Sequence, residues 1–189
     1  MVDLATEEKE KYKKAWEYKS YRNYSPGEEF SDFFLDFIDY NGGETIYDFG
    51  AGTGRATAKF KALGFNAIPI DIADNCLDLV PQMILKNDLV IANLWDELPI
   101  GIADFGYCCD VMEHIPPDKT KDVLMNIFKH SKKCFFSICL REDHFGQAIK
   151  EHLHLTVRPY KYWKELLRMY GEIIEARDLI NNGIFFIEF

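Results

Sequence analysis

Ile46-Tyr47-Asp48-Phe49-Gly50-Ala51-Gly52-Thr53-Gly54-Arg55 is the stretch that decides how this chain is read. The apolar run Thr45 to Phe49 has the length and composition of a strand, and Thr53 to Leu63 has those of a helix, stopped by Gly64. Three alternating glycines join the two. Glycine lets the backbone turn tightly and lets a ligand lie against it without a Cβ in the way. The helix start beyond offers free N–H groups and a positive dipole end to an anion such as a carboxylate or a phosphate. A dinucleotide fingerprint needs a third small residue, yet counting from Gly50 puts Arg55 there and counting from Gly52 puts Thr57 there. No Gly-Lys-Ser/Thr follows, which excludes a P-loop. What remains is an acid, Asp48, leading Gly50, Ala51, Gly52 and Gly54, and its carboxylate can accept a hydrogen bond from a cationic amine.

Outward from this bend the pattern alternates. Ala67 to Ile70, Leu89 to Ala92, Asp104 to Cys109 and Cys134 to Leu140 read as further strands, with helices predicted over Pro117 to His130 and Tyr160 to Tyr170. Glu172 to Ala176 and Ile184 to Phe189 close the chain as two strands about a turn at Asn181-Asn182-Gly183. Upstream, residues 6 to about 20 are charged and helical in propensity. Ser25-Pro26-Gly27-Glu28 reads as a capping box that starts a helix carrying Phe30, Phe33, Phe34, Phe37 and Ile38 on one stripe. The expected fold is α/β: a Rossmann-like, doubly wound, mainly parallel seven-stranded sheet with an antiparallel C-terminal edge pair and N-terminal helices. One domain is expected over residues 1–189, with a helical extension over 1–40 and the core over 41–189.

Three more signals fall at strand ends. Asp71 closes the second strand, where its carboxylate can accept from ribose hydroxyls, and Ile72 beside it can pack on an adenine face. Asn93 and Leu94 follow the third strand and offer an amide and backbone groups to an adenine edge. Cys109-Asp110-Val111-Met112-Glu113-His114-Ile115 follows the fourth. In order and spacing, these segments resemble class I S-adenosylmethionine (SAM)-dependent methyltransferases over about Tyr40 to Leu140. Leu153-His154-Leu155-Thr156 with Tyr162-Trp163 resembles a segment of small bacterial and phage members whose substrate is unassigned. The resemblance implies SAM as cofactor and S-adenosylhomocysteine as product. It also places Asp110 along the methionine end. One departure is Asn93, where the family often carries Asp.

The 189 residues carry a net charge of −9, with 48% hydrophobic and 28% charged residues, as an ordinary globular domain does. The Lys9–Lys14 run is interleaved with Glu7, Glu8, Glu10 and Glu17, which makes it a solvated face and argues against a nucleic-acid partner. The chain also lacks the Asn/Asp-Pro-Pro-aromatic and Pro-Cys signatures of DNA-methylating enzymes. A small molecule or a sugar is therefore the expected acceptor, methylated on O or N. A non-catalytic SAM- or nucleoside-binding partner or regulatory subunit is the alternative. Five cysteines without a CxxC pair read as buried thiols, and no apolar run is long enough to cross a bilayer, so a cytoplasmic protein without a membrane partner is expected.

His114 is the expected catalytic base, because its ordinary pKa lies near neutrality. Its other reading is a packing histidine. His144, His152 and His154 follow the fifth strand; His152-x-His154 near Asp143 is too thin for a metal site and no metal is expected, while His152 or His154 is a candidate for acceptor binding or for the base. Trp16, Tyr18, Tyr21, Arg22 and Tyr24 fit no helical stripe and are read as a lid over the cofactor.

Overall fold

The computed structural model describes residues 3–189. Three helices, α1 (Leu4–Trp16), α2 (Lys19–Arg22) and α3 (Pro26–Asp36), precede the sheet. Then follow β1 (Thr45–Phe49), α4 (Arg55–Ala62), β2 (Asn66–Asp71), α5 (Leu79–Leu85), β3 (Val90–Ile91) and β4 (Ala103–Cys109). The rest is α6 (Thr120–His130), β5 (Ser131–Cys139), α7 (Gly146–Ile149), α8 (Tyr160–Leu167), β6 (Glu172–Asp178) and β7 (Asn182–Glu188). All seven strands form one sheet in the order β3-β2-β1-β4-β5-β7-β6. β1 pairs in parallel with β2 and β4, and β5 with β4. β7 pairs antiparallel with both β5 and β6, so β7 alone runs against the other six strands.

The apolar stripes explain the layering. Phe34 of α3 and Phe60 of α4 are fully buried against Ile46, Tyr107, Phe135 and Phe186 on one face of the sheet. Val123, Leu124 and Ile127 of α6 and Trp163 and Leu167 of α8 cover the other face, against Phe49, Cys108, Phe136 and Phe185. A sheet covered on both sides leaves its carboxyl edge as the place where loops converge.

Several local expectations are corrected. Ser25 does not cap α3; its hydroxyl shares a 2.8 Å hydrogen bond with the Thr53 hydroxyl, which ties the helix start to the glycine bend. The N-terminal helix breaks at Glu17-Tyr18, and the helix after the bend starts at Arg55 because Gly54 takes a left-handed φ of 73°. The helix expected from Pro117 begins at Thr120. The closing turn lies at Leu179–Asn181, with Asn182-Gly183 already inside β7. α5 was not anticipated: Leu79, Val80, Met83 and Ile84 are exposed, and only Pro81 and Leu85 of this short helix are buried. No helix among the described residues is long and apolar enough to cross a membrane, and all five cysteines are free and buried.

Candidate functional site

β1 delivers the glycine bend to the carboxyl edge. Gly50, Gly52 and Gly54 all have positive φ. The N–H groups of Gly50 and Ala51 donate to the Ile70 carbonyl at 2.8 and 3.0 Å, which folds the bend over the end of β2. A Cβ on Gly50 would overlap the Val111 side chain, so this position requires glycine twice over.

Two buried carboxylates flank the bend. Asp48 accepts from the Thr57 hydroxyl, and burial pushes its pKa up to about 7 against the lowering effect of that bond. Asp71 accepts from the Gly52 N–H through one oxygen and from the Ala73 N–H through the other, both at 2.9 Å, and burial raises its pKa to about 6. Each Asp71 oxygen keeps a lone pair beyond its backbone bond.

Two cavities open on these acids. The larger, about 390 Å³, is lined by Asp48, Gly50, Ala51, Gly52, Asp110 and His114 together with Tyr24, Arg141, His144 and His154. The smaller, about 100 Å³, is lined by Gly50, Asp71, Ile72, Asn93, Leu94, Asp110 and His114, with Glu8 and Tyr12 from α1. They meet at Gly50, Asp110, His114, Trp16 and Tyr21, which line both. Every cofactor-binding or catalytic residue expected from the sequence except Gly54 therefore lines one cavity or the other, and of the expected lid residues Trp16, Tyr21 and Tyr24 do while Tyr18 and Arg22 do not. The space beside Gly54 is filled instead by Leu77 and by Pro81 and Leu85 on the buried side of α5, with Leu77 Cδ2 only 2.5 Å from where a Cβ would stand.

Asn93 is placed at the expected loop, but its amide donates to Asp96 at 2.9 Å and its carbonyl accepts from the Trp95 N–H at 3.3 Å. Its side chain is thus committed to the loop itself. Asp110 sits at the end of β4 with φ 52°, a costly conformation for a residue with a side chain, held by its N–H to the Ser137 carbonyl and by Asn182. His114 donates from Nδ1 to the Leu153 carbonyl at 3.1 Å, and burial drops its pKa to about 3, with His154 adding to the fall. An imidazole of that kind stays neutral at physiological pH and is a weak proton acceptor.

The N-terminal segment lies across the site. The Trp16 indole stands 3.0 Å from the position of a Gly52 Cβ, and Tyr21 packs on it with ring centroids 4.6 Å apart. Arg22 pins this segment to the loop after β2 through bonds to the Asn75, Cys76 and Leu77 carbonyls and to Asp78. Lys14 and Lys11 pin it on the other side to the Ile149 and His152 carbonyls. Trp16 Nε1 and Tyr12 Oη are buried without a partner. Sequence reasoning singled out His144 and His154 after β5 but missed Arg141. Its position at the carboxyl edge of a parallel strand was the available signal.

No protein-family model and no curated protein matches this sequence. Solved structures do. Magnesium protoporphyrin IX methyltransferase from Synechocystis PCC 6803 with bound S-adenosylhomocysteine superposes with a TM-score of 0.74 over 98% of this chain and 99% of that one, at 14% identity. A TehB-like SAM-dependent methyltransferase from Corynebacterium glutamicum ATCC 13032 gives 0.62 over 97% and 98%, at 16% identity. Haemonchus contortus phosphoethanolamine N-methyltransferase 2 in complex with SAM gives 0.63 at 14% identity, over 78% of this chain and 37% of that chain. The fold is the Rossmann-like methyltransferase fold, as expected from the sequence.

Proposed function

We propose that this chain is a SAM-dependent methyltransferase that acts on a small-molecule or sugar acceptor, on oxygen or nitrogen. The observation that carries this reading is the pair of cavities joined over Gly50 and Asp110, each with a buried aspartate at a strand end: Asp48 in the larger, Asp71 in the smaller. A ligand with an ammonium at one end and a ribose at the other suits an acid in each cavity, and Gly50 and Gly52, both at positive φ, put no side chain into the floor between them.

In this reading Asp48 takes the ammonium of the methionine end, Gly50, Ala51 and Gly52 form the floor, and Asp71 takes ribose hydroxyls. Ile72, Leu94 and the backbone at Asn93 flank the adenine, and Asp110 lies along the methionine side. Gly54 serves the bend by packing on α5. SAM, when bound, supplies a methyl group already activated by the sulfonium charge. The chain's task is then alignment and exclusion of water. Trp16 and Tyr21 divide the two cavities, so α1 and α2 act as the lid that shifts to admit the ligand and closes over it. The fold neighbours name porphyrin and phosphoethanolamine acceptors, which supports a small-molecule acceptor for this chain.

Calorimetry with S-adenosylhomocysteine tests the site. The wild-type chain is expected to bind, Gly52→Val to abolish binding and Asp71→Ala to weaken it. Full affinity in both variants refutes the assignment, and binding without turnover on an acceptor panel identifies a non-catalytic partner subunit.

A further inference from the structure

One cluster beside the larger cavity is not used by the cofactor reading. Behind β4 the chain makes a single 3₁₀ turn, Met112–His114, and the segment after α7 runs back along it. The Thr156 N–H donates to the Glu113 carbonyl at 2.8 Å, and the Thr156 hydroxyl to the Ile115 carbonyl at 2.6 Å. This register brings His154 against His114, with ring centroids 4.6 Å apart and planes nearly perpendicular. The Glu113 carboxylate is fully buried beneath them. Ligand-capable atoms of the three side chains lie within 4.8 Å of one another.

The hydrogen bonding around the cluster is one-sided. His114 Nδ1 lies 3.1 Å from the Leu153 carbonyl, and His154 Nδ1 lies 2.7 Å from the Arg141 carbonyl. A carbonyl only accepts, so each Nδ1 carries the hydrogen and each Nε2 is left as a bare lone pair. Glu113 accepts from the Cys139 N–H through Oε1, while Oε2 is buried with no partner. Two imidazole Nε2 lone pairs and the free Glu113 Oε2 thus come together, with the Cys139 N–H on Oε1 as the one protein donor to the carboxylate. Burying an unpaired carboxylate oxygen is costly unless a cation or proton completes it. Histidines whose second nitrogen is anchored on a main-chain carbonyl are the usual outer-shell arrangement of metal ligands.

We propose that Glu113, His114 and His154 bind a divalent first-row transition-metal ion in the wall of the larger cavity. Two imidazoles and one carboxylate favour Mn²⁺, Fe²⁺, Co²⁺ or Zn²⁺ over Mg²⁺ or Ca²⁺, which prefer all-oxygen shells. Three protein ligands leave positions open, and His114 and His154 both line the cavity, so the open side faces the acceptor. The ion's role in catalysis rests on the methyltransferase reading, whereas its binding does not. An acceptor hydroxyl coordinated there gives its proton to solvent. Its oxygen lone pair then forms the O–CH₃ bond as the S–CH₃ electron pair returns to sulfur. That role supplies a Lewis acid beside the acceptor and commits the acceptor to an oxygen nucleophile.

The test is metal titration of the chelator-treated full chain, with Co²⁺ absorption and with Mn²⁺ and Zn²⁺ calorimetry, in the absence of SAM. One ion per chain is expected, with d–d bands of a four- or five-coordinate nitrogen/oxygen site. His154→Ala, at a partly exposed position, should weaken binding at least a hundredfold. Glu113→Gln keeps an acceptor for the Cys139 N–H and should do the same, while His152→Ala, an exposed neighbour, should not. Failure of the wild-type chain to bind any of these ions, or equal binding in His154→Ala, overturns the proposal. Metal binding in a chain that does not bind S-adenosylhomocysteine would sink the methyltransferase reading and leave the metal site standing.

Discussion

Binding of S-adenosylhomocysteine should weaken steeply below neutral pH, because the carboxylate that meets its ammonium is held protonated by burial. Asp48 is 3% exposed and its pKa is pushed up to about 7, by desolvation first, with the Thr57 hydroxyl opposing. For this group the free chain is most stable below about pH 4, where folded and unfolded forms are both protonated. That contribution is lost as pH rises through 7. A bound ammonium reverses the preference and pulls the proton off. From pH 7 to pH 6 the affinity should therefore fall about five- to sixfold and from pH 6 to pH 5 about ninefold, approaching the limit of about 1.4 kcal/mol per unit, and a little more where Asp71, at about 6, also protonates. Calorimetry at pH 5, 6, 7 and 7.5, in buffers of different ionisation enthalpy, reads both the affinity and the proton released, about half a proton at pH 7 and close to one at pH 6. Asp48→Asn should bind weakly at pH 7.5 and lose the steep slope down to pH 6. A flat profile from pH 5 to 7.5, in a chain shown folded by circular dichroism, would refute the ammonium–Asp48 contact.

Gly54→Ala should destabilise without touching the ligand, by about 1–3 kcal/mol, because its Cβ would stand 2.5 Å from Leu77 and its φ is 73°; denaturant unfolding measures the loss and calorimetry the unchanged affinity. Trp16→Ala removes the wall between the cavities and should speed association of S-adenosylhomocysteine several-fold, read by surface plasmon resonance; an unchanged rate would show that the indole does not obstruct entry. Phe34→Ala deletes a fully buried ring packed edge-on against Phe60 and Phe105, and should cost about 3–5 kcal/mol in urea unfolding.

The alternation of apolar runs and helical stripes was enough to expect seven strands and their mainly parallel sense, since each strand carries its own local signal. The insertion of β7 between β5 and β6 carries no such signal. Nor did the Asn-Gly pair mark the turn, because both residues are spent elsewhere. Asn182 donates to Asp110 and Ser137, and Gly183 leaves room for the Phe185 and Tyr160 rings, which would stand 2.9 and 3.1 Å from its Cβ. The turn falls instead on Leu179–Asn181, with Ile180 at φ 69°, a conformation no propensity argument would assign to a β-branched residue.

The same division runs through the site. Asp48, the glycines and Asp71 were legible because their chemistry depends on where a strand ends, and strand ends are written in the sequence. Glu113 and His154 are 41 positions apart and meet only because Thr156 anchors its segment on the main chain of Glu113 and Ile115. The histidine pair suggested by spacing, His152 and His154, does not converge: His152 is exposed beside Glu142, and Asp143 accepts from the Phe145 and Gly146 N–H groups. The lid was visible only as aromatics without a stripe, since Trp16 and Tyr21 answer to the opposite wall of the cleft and not to a helix face of their own. If their burial is the closed form of a moving element, the orphaned Trp16 Nε1 and Tyr12 Oη should gain solvent or ligand partners when the cleft opens. Amide hydrogen exchange across residues 8–24 should then proceed through opening in the free chain and slow steadily as ligand saturates the cleft. Protection that never changes across the titration would make this segment a fixed wall.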